Sequence, residues 1–514
     1  DIRPAIVRAL DTAGRAVAFA GITVVISLLG MLLMQISFVS GLAIGAALVV
    51  AMTMVAALTL LPALLGFAGG RVELTRWRGL IAAALIAVGL LGLGLKAPVV
   101  LLICAPLAAA VLIASLAVRP LRQPVPRPAP KPRHETLAYR WSRFIQHHPW
   151  PSALGAVALL ILLALPVFGL RLGFSDEGNY AEETTTRKAY DLLAEGFGPG
   201  FNGSMMVVSE VPDGTDDAEL QRVTDALAAA PGVTFASPAV MNNPDDPTAA
   251  LWRVVPSTAP QDEATTRLVH TLRTDVLPPA TANSGLDVSV TGTVPILVDF
   301  SEYMTARMPL FFAAVLGLSF LLLMTVFRSV LVPLKAVVMN LLSLGAAFGV
   351  VVAIFQWGWG ASILNLDSAP IEPFVPMMLF AIVFGLSMDY EVFLLSRIRE
   401  EWKRTGDSRL SVADGLAATA RVITAAALIM VFVFGSFLLE NDRVIKLFGM
   451  GLAGAVLLDA TIVRLLLVPA TMELLGDRNW WLPRWLDRIL PDVAVEGKPE
   501  AAPVDLRVPS DARG

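Results

Sequence analysis

One carboxylate lies in an apolar stretch long enough to cross a membrane. The stretch runs from Phe374 to Leu395 and contains Asp389, which is followed directly by Tyr390. A carboxylate in hydrocarbon costs roughly 2.5–3.5 kcal/mol on insertion scales, so we expect it to face a bundle interior, a wet cavity or a partner. Burial favours its neutral form, and a carboxyl group that can gain and lose a proton suits proton transfer. The alternative is a structural hydrogen bond to a neighbouring span, without titration in function.

Polar and small residues around this acid are candidates for supporting roles. Glu391 lies on another face of the helix and either joins the site or faces water nearer the cytoplasm. Asp459 either extends a proton path or pairs with Arg464. We expect Arg464 to reach toward the cytoplasm instead, because residues five apart do not share an α-helical face. Gly385 and Ser387 either allow close helix approach and polar bridging or simply pack.

The composition is that of a membrane protein. The chain has 514 residues, of which 56% are hydrophobic and 16% charged, and its mean hydropathy is +0.69. A soluble protein carries roughly a quarter of its residues as charged side chains. Cys104 is the single cysteine, so no intrachain disulfide can form.

The motifs of several other functional classes are missing from the sequence. No G-x-x-x-x-G-K-[ST] loop is present, which argues against ATP as an energy source. No Ser-His-Asp or Cys-His arrangement stands out, so no hydrolase is predicted, and we expect neither an enzyme nor a cofactor. His147 and His148 stand before a span as an interfacial flank, without a third ligand for a metal. A nucleic-acid partner has no support beyond charge.

Ten apolar runs predict an α-helical polytopic bundle. They lie near 15–34, 41–66, 79–95, 98–118, 150–170, 308–327, 333–356, 373–395, 420–439 and 445–469. The pair at 79–118 is interpreted as a membrane hairpin, since an even number of crossings keeps the flanking basic segments on one side. An interfacial or re-entrant segment is the alternative.

Basic residues predict which segments are cytoplasmic. The start of the chain, a Pro-rich linker over 119–149 and a loop containing Arg397 and Arg409 carry the positive charge. The linker is expected to be extended and mobile and to touch anionic lipid. The C-terminal tail over 473–514 is predicted to be cytoplasmic and partly disordered from Val493 onward.

The segment 171–307 is acidic and alternates strands with helices, which predicts an extracytoplasmic domain. Strands are expected at 204–211, 233–240, 251–255 and 286–291, and helices at 217–230 and 261–277. The order βαββαβ favours a ferredoxin-like α+β fold. Two unrelated α/β hairpins are the alternative.

An internal repeat relates the beginning of the chain to its end. Ala13–Ile22 aligns with Thr419–Leu428, and Leu58–Leu64 with Leu465–Thr471, at an offset of about 406 residues. Chance similarity between apolar helices is the alternative, and the shared Arg before one span and Pro-Ala after the next speak against it. Parallel repeats are a common transporter plan. We therefore interpret 1–70 as the last two spans of a first half, 71–118 as an extra hairpin, and 150–170 with 308–472 as the six spans of a second half.

Three stretches resemble the MmpL branch of the resistance–nodulation–division (RND) superfamily. They are the run from Phe384 to Glu391, the run Tyr190–Gly203 and the run Gly451–Ala470. The resemblance implies twelve core spans, two extracytoplasmic porter domains and an Asp-Tyr pair from each half that relays protons. Asp389 would be the proton carrier and Tyr390 its hydrogen-bonding partner, with Ser387, Glu391, Asp459 and Arg464 in supporting roles.

The same resemblance implies export of lipids or other hydrophobic molecules across the bacterial cytoplasmic membrane, driven by the proton-motive force. The first four spans, the first porter domain and the first Asp-Tyr pair are missing, so we expect the N-terminal half of the same protein as a partner. The superfamily suggests a homotrimer, and action as a single chain is the alternative. Two other functions stay open: proton-driven protein export like that of SecDF, and a non-transporting lipid-binding scaffold like the sterol-sensing bundles.

Overall fold

The computed structural model describes residues 2–69, 76–125, 136–243, 246–282 and 284–490. Parts of the Pro-rich linker and the tail from Val493 onward lie outside this description. The same holds for some side chains within helices, including those of Arg3, Arg8 and Asp389.

Ten apolar helices occupy the predicted spans within the described residues. Nine are long and apolar enough to cross a membrane, and Pro98–Ala114 is a shorter one of 17 residues. In chain order the α-helices are α1 (Ile2–Ala9), α2 (Arg15–Leu29), α3 (Ser37–Ala68), α4 (Trp77–Gly94), α5 (Pro98–Ala114), α6 (Arg119–Arg122), α7 (Leu137–His147), α8 (Pro149–Ala164), α9 (Thr185–Phe197), α10 (Asp217–Ala229), α11 (Glu263–Thr271), α12 (Leu277–Thr281), α13 (Thr293–Phe327), α14 (Leu331–Val351), α15 (Ala361–Leu364), α16 (Phe374–Thr405), α17 (Ser408–Gly435), α18 (Arg443–Leu458), α19 (Val468–Leu475) and α20 (Arg484–Asp487).

Several helices extend well beyond their apolar runs, and here the sequence-based boundaries are wrong. Helix α13 begins at Thr293, inside the segment assigned to the outer domain, and α16 continues to Thr405. The predicted basic loop is therefore mostly helix. Its break is confined to Gly406, which adopts φ +69°, and Asp407, whose carboxylate caps α17. Apolar length reports the membrane-embedded part of a helix, whereas the helix itself continues through polar residues that keep good helical propensity.

Helices α4 and α5 form the expected pair. A Cβ on Gly89 would lie 2.8 Å from Leu101 Cδ1, so the glycine lets the two backbones come close together. The turn between them places Lys96 at φ +60°. Whether this hairpin crosses the membrane stays a prediction.

The acidic segment folds as a ferredoxin-like sheet domain, as predicted. Its strands are β1 (Met205–Glu210), β2 (Val233–Ala236), β3 (Val240–Met241), β4 (Ala249–Pro256) and β5 (Val288–Thr291). They pair antiparallel in the order β2-β4-β1-β5, with β3 as a short extension beside β4. Trp252 is fully buried beneath the helices and donates from Nε1 to Thr224 Oγ1 over 3.0 Å.

Helix α13 belongs to two hydrophobic cores at once. Val294 and Val298 pack in the core of the sheet domain, and Met308 and Phe311 pack in the core of the bundle. Helix α13 thus joins the domain directly to the bundle, without an intervening loop.

The linker over 119–149 contains a helix that the sequence interpretation missed. Helix α7 is strongly amphipathic and packs along α17 and α19. Trp141 donates from Nε1 to the backbone oxygen of Leu465 over 2.7 Å, and Gln146 donates to that of Arg409 over 2.7 Å. This part of the linker is therefore fixed to the bundle, and its prolines misled a prediction based on composition.

A buried ion pair closes the end of the bundle beside the sheet domain. Arg443 Nη1 donates to Glu372 Oε1 over 2.9 Å, and both side chains are almost fully buried. Ser175, on the segment leading to the domain, donates to the same carboxylate over 2.6 Å. Arg443 also donates to the backbone oxygens of Ala369 and Pro370. The first turn of α18 is thus tied to the loop before α16.

The internal repeat extends to the boundaries of the helices. An offset of 406 carries Ile2–Leu29 onto Ser408–Gly435, and the 3₁₀ turn Gly30–Met34 onto a 3₁₀ turn at Ser436–Leu439. The same offset carries the start of α3 at Ser37 onto the start of α18 at Arg443. The two segments are hereafter called the first copy (2–68) and the second copy (408–475).

Candidate functional site

Helix α16 positions the predicted acid. It has the highest buried fraction among the candidate spans, 71% over its apolar window, and packs against α2, α13, α14, α17 and α18. The backbone at Asp389 is helical, and its side chain lies outside the described part of the structure. The acid is therefore carried by a helix with protein neighbours on several sides.

Gly385 is the point of closest approach between α16 and the first copy. A Cβ at this position would lie 2.7 Å from Val24 Cγ2 and 3.1 Å from Val24 Cα. Such distances leave no room for a side chain without movement of one backbone. Close helix contact, one of the two roles considered for Gly385, is thus what the structure shows.

Asp459 and Arg464 form a buried ion pair, contrary to expectation. Arg464 donates to Asp459 Oδ2 from Nε over 2.9 Å and from Nη2 over 2.8 Å, and the guanidinium is only 2% exposed. The segment Asp459–Leu467 is a π-helix. Its i→i+5 hydrogen bonding widens each turn and brings residues five apart onto one face. The expectation that Arg464 reaches toward the cytoplasm is wrong because it assumed α-helical spacing.

Arg464 also connects the second copy to α16. Its Nη2 donates to the backbone oxygen of Ser387, and to the Ser387 hydroxyl over 3.2 Å. That hydroxyl in turn donates to Asn340 Oδ1 on α14 over 2.6 Å. One network of hydrogen bonds therefore joins α14, α16 and the π-helix, and its member on α16, Ser387, is two residues from Asp389.

Tyr390 lies beneath the same guanidinium. The Arg464 Cζ atom is 4.9 Å from the centroid of the Tyr390 ring, within the range of a cation–π contact. The phenol hydroxyl lies 3.6 Å from the Met430 sulfur on α17. Tyr390 thus contacts both the ion pair and the neighbouring helix of the second copy.

Glu391 is buried, so the alternative of a water-facing acid is wrong. It is 5% exposed, and its charged neighbours are Arg464, Lys335 and Asp459. Lys335, in the first turns of α14, is also buried and donates to Asn479 Oδ1 over 3.2 Å. Glu391 therefore extends the charged cluster from the level of Ser387 toward the end of α14 at Lys335.

A match to a family model assigns the chain with this buried network to a protein family. The model, described as the MMPL family, matches residues 1–81 and 203–492. The chain belongs to the MMPL family. The second match includes all of α16 and the whole second copy, so every residue of the buried network lies inside the MMPL region.

Curated relatives agree with the family. The chain is 35% identical over 497 residues to membrane protein YdfJ of Bacillus subtilis, covering 96% of this chain and 60% of the relative. It is 34% identical to the mycolic acid-containing lipids exporter MmpL11 of Mycolicibacterium smegmatis, covering 96% and 48%. It is also 34% identical to the heme uptake protein MmpL11 of Mycobacterium tuberculosis, covering 94% and 46%.

Among solved structures, SecDF from Thermus matches with a TM-score of 0.41 and 14% identity, covering 92% of this chain and 50% of the other. The chain spans about half the length of the curated relatives it matches. Together with the apolar helices, the MMPL match identifies a multi-pass cytoplasmic-membrane protein of a transporter family rather than an enzyme.

The sequence analysis did not identify three polar residues of the buried network around α16. Lys335 and Asn340 were treated as part of an apolar span, and Asn479 as part of the tail. Asn479 is fully buried and donates to the backbone oxygens of Met472 and Gly476. A lysine and an asparagine five residues apart in an otherwise apolar run were the available signal, since such groups are rare in spans unless they face protein or water.

Proposed function

We propose that this chain forms part of a proton-driven exporter of lipids or other hydrophobic molecules, in which Asp389 and Tyr390 relay protons. The observation that carries the proposal is the buried charged cluster around α16, made of Glu391, Asp459, Arg464 and Lys335. Buried ionisable groups in a membrane bundle are costly and are found mainly where ions or protons pass.

The charge of this cluster suits the uptake and release of one proton. Its described members are two acids, Glu391 and Asp459, and two bases, Arg464 and Lys335, so their formal charges cancel when every group is ionised. Uptake of one proton by such a balanced cluster leaves one positive charge in a low-dielectric interior, which is strongly penalised and favours its release again.

Proton uptake at Asp389 would alter the packing of α16. Gly385 touches the first copy, and Ser387 and Tyr390 touch Arg464 of the second copy, all within six residues. A change of charge on α16 between these contacts would alter its packing against the first copy and against the second copy. Because α13 packs against α16 and continues into the sheet domain, that bias reaches the domain.

We further propose that the sheet domain is extracytoplasmic and that the C-terminus is cytoplasmic. The adjoining ends of α16 and α17 carry Lys403, Arg404 and Arg409, and the linker before α8 is rich in Arg. Both lie at the opposite end of the bundle from the sheet domain, as the positive-inside rule requires. A homotrimer and a first half with its own Asp-Tyr pair remain predictions.

The nature of the cargo rests on the relatives. One MmpL11 relative is named for export of mycolic acid-containing lipids, and another for heme uptake. Both cargos have large apolar surfaces, and we propose a hydrophobic molecule, with lipid first because two of the relatives are named as lipid or mycolate exporters.

The experiment is Asp389→Asn in the full-length protein, reconstituted in liposomes with an imposed pH gradient. We expect lipid export and proton flux to fall at least about 100-fold, as is typical for loss of a proton-transfer group. The matched control is Glu400→Gln, the same change at an exposed acid on the same helix, which should leave both rates unaltered. Gradient-driven export by the folded Asp389→Asn protein at the wild-type rate would refute the proposal.

A further inference from the structure

Helix α7 carries an apolar stripe that faces away from the rest of the protein. Ser142 and Ile145 are fully buried on the side where α7 packs against α17 and α19. On the other side Leu137, Trp141 and Phe144 are 82%, 44% and 55% exposed. The rings of Trp141 and Phe144 stack with their centroids 5.9 Å apart. Residues at positions i, i+4 and i+7 share one face of a helix, so these three side chains form one continuous apolar surface.

Basic side chains flank the apolar stripe. Arg140 and Arg143 are both exposed, and the sequence of α7 contains no acidic residue. The guanidinium of Arg140 has no partner among the described residues. That of Arg143 donates to Gln146 Oε1 over 3.0 Å, which leaves its charge without an acid to neutralise it. The outward face of α7 therefore combines uncompensated positive charge with exposed aromatic rings.

The neighbours of α7 place this face at the boundary of the membrane. Helix α8, a candidate span, begins at Pro149, directly after the single residue that follows α7. Trp150, in the first turn of α8, is 63% exposed. Gln146 is bonded to Arg409, beside the basic turn between α16 and α17. Helices with aromatic and basic side chains at such a boundary lie in the interface between the headgroups and the acyl chains.

We propose that α7 binds an anionic phospholipid of the cytoplasmic leaflet, with the headgroup on Arg140 and Arg143 and the acyl chains against the apolar stripe. Anionic lipids give that leaflet a negative surface potential, and each basic residue close to it adds to the attraction. A zwitterionic lipid would cover the stripe but bring no net negative charge. A free phosphate ion would bind the arginines but leave the stripe exposed. The two features together therefore select an anionic lipid.

The same helix reaches the π-helix through one hydrogen bond. Trp141 Nε1 donates to the backbone oxygen of Leu465 over 2.7 Å. In an α-helix that oxygen would accept from the N–H group of residue 469, but Pro469 has none. The indole supplies a donor in its place. Leu465 directly follows Arg464, so a lipid that holds α7 against the bundle also holds the backbone beside the buried guanidinium. An effect of the lipid on transport rests on the proposed function, whereas lipid binding does not.

The first measurement compares two lipids on the full-length protein by native mass spectrometry in detergent. The probes are phosphatidylglycerol and phosphatidylcholine with identical acyl chains. We expect phosphatidylglycerol to bind about 30-fold more tightly, as two basic residues near one headgroup allow. Arg140→Gln/Arg143→Gln should abolish the difference. The matched control is Arg222→Gln/Arg267→Gln, which removes two exposed arginines from the sheet domain and should keep the preference.

Three results of this measurement would overturn the proposal. One is equal binding of the two lipids by the wild-type protein. Another is a preference that Arg140→Gln/Arg143→Gln leaves unchanged. The third is displacement of phosphatidylglycerol by inorganic phosphate at the same concentration, which would show that the arginines hold a free anion and not a lipid. None of these results depends on transport.

The second measurement is export from liposomes that contain or lack phosphatidylglycerol. The wild-type rate should be about fivefold higher with the anionic lipid, the effect of roughly one hydrogen bond. Trp141→Phe keeps the ring but removes the indole donor, so its rate should be low in both liposomes. The matched control is Trp150→Phe, the same change at an exposed tryptophan of α8, which should keep the dependence on the lipid.

A dependence on phosphatidylglycerol that survives in Trp141→Phe would overturn the link between the lipid and the π-helix. Lipid selectivity in the mass spectra without any gradient-driven export would support the lipid site and refute the proposed transport. The two measurements therefore distinguish failure of the lipid site from failure of the proposed function.

Discussion

The first and second copies have the same helical outline but different chemistry. With the offset of 406, Asp459 corresponds to Thr53 and Arg443 to Ser37, whereas the offset of 407 that aligns Leu465 with Leu58 places Arg464 opposite Ala57. The π-helix that aligns Asp459 with Arg464 has no counterpart in α3, which is α-helical from Ser37 to Ala68. Among the described side chains of the two copies, the buried charges lie in the second copy, so the same backbone plan is found with and without a buried ion pair.

The largest effect is expected from neutralising the acid of the Asp459–Arg464 ion pair, compared with a change at the equivalent position of the first copy. Asp459→Asn should lower proton-coupled transport by about 100-fold, because it removes the carboxylate that holds Arg464. The equivalent change in the first copy, Thr53→Val, should leave transport within twofold of wild type. Proton flux and export in liposomes measure both. Equal losses of transport in the two variants would contradict the assignment of the proton-coupled role to the second copy alone.

The next effect concerns stability at the start of the two equivalent helices. Arg443→Met leaves Glu372 buried without its main partner and should lower the free energy of unfolding by about 3–5 kcal/mol. Ser37→Ala should change it by less than about 0.5 kcal/mol. Thermal unfolding in nanodiscs compares them.

The double variant Arg443→Met/Glu372→Leu is the control, since it removes both charges of the ion pair. It should recover most of the lost stability, because paired removal avoids an isolated buried charge. A double variant as unstable as Arg443→Met would show that the guanidinium acts through its bonds to backbone oxygens instead.

A smaller effect is expected at the contact between α16 and the first copy. Gly385→Ala should destabilise the fold by roughly 1–3 kcal/mol, because its Cβ collides with Val24. Gly41→Ala is the matched control in α3, where an added Cβ has nothing within 4 Å. Adding Val24→Ala to Gly385→Ala should restore part of the stability. Failure of that rescue would place the strain elsewhere.

The smallest effect comes from Asp176, an acid outside the bundle that contrasts with the paired Asp459. Burial raises the pKa of Asp176, partly offset by hydrogen bonds from the Tyr190 hydroxyl and the Gly178 amide. Its neutral form is thus favoured in the folded state, and this contribution to stability is lost as pH rises through the raised pKa.

Asp176→Asn stays neutral and should therefore raise the free energy of unfolding at pH 7 but not at pH 3. The gain should be less than about 1 kcal/mol because the site is partly solvated. Tyr190→Phe is the matched comparison. It removes a hydrogen bond that favours the ionised form of Asp176, so it should further raise the pKa of that acid. A stabilisation by Asp176→Asn that is the same at both pH values would exclude titration of this acid as its cause.

The fold could be predicted largely from the sequence because apolar length and strand alternation are local signals. The spans, the βαββαβ order and the repeat all follow from such patterns. The ion pair could not be predicted, since a π-helix at Asp459–Leu467 alters the spacing rule on which the expectation for Arg464 depended. The extent of α13 and the burial of Glu391 depend on neighbours far away in sequence, which no local pattern reports.

Helix α13 also has a joint near its middle. It is about 52 Å long at 1.5 Å per residue, and Pro309 interrupts its hydrogen-bond ladder near the middle. Beside that joint, Arg307 is tethered to the Met34 oxygen and the Gln35 side chain of the first copy. A bend of about 10° at Pro309 would swing the far end of the helix, and the sheet domain on it, by roughly 4 Å.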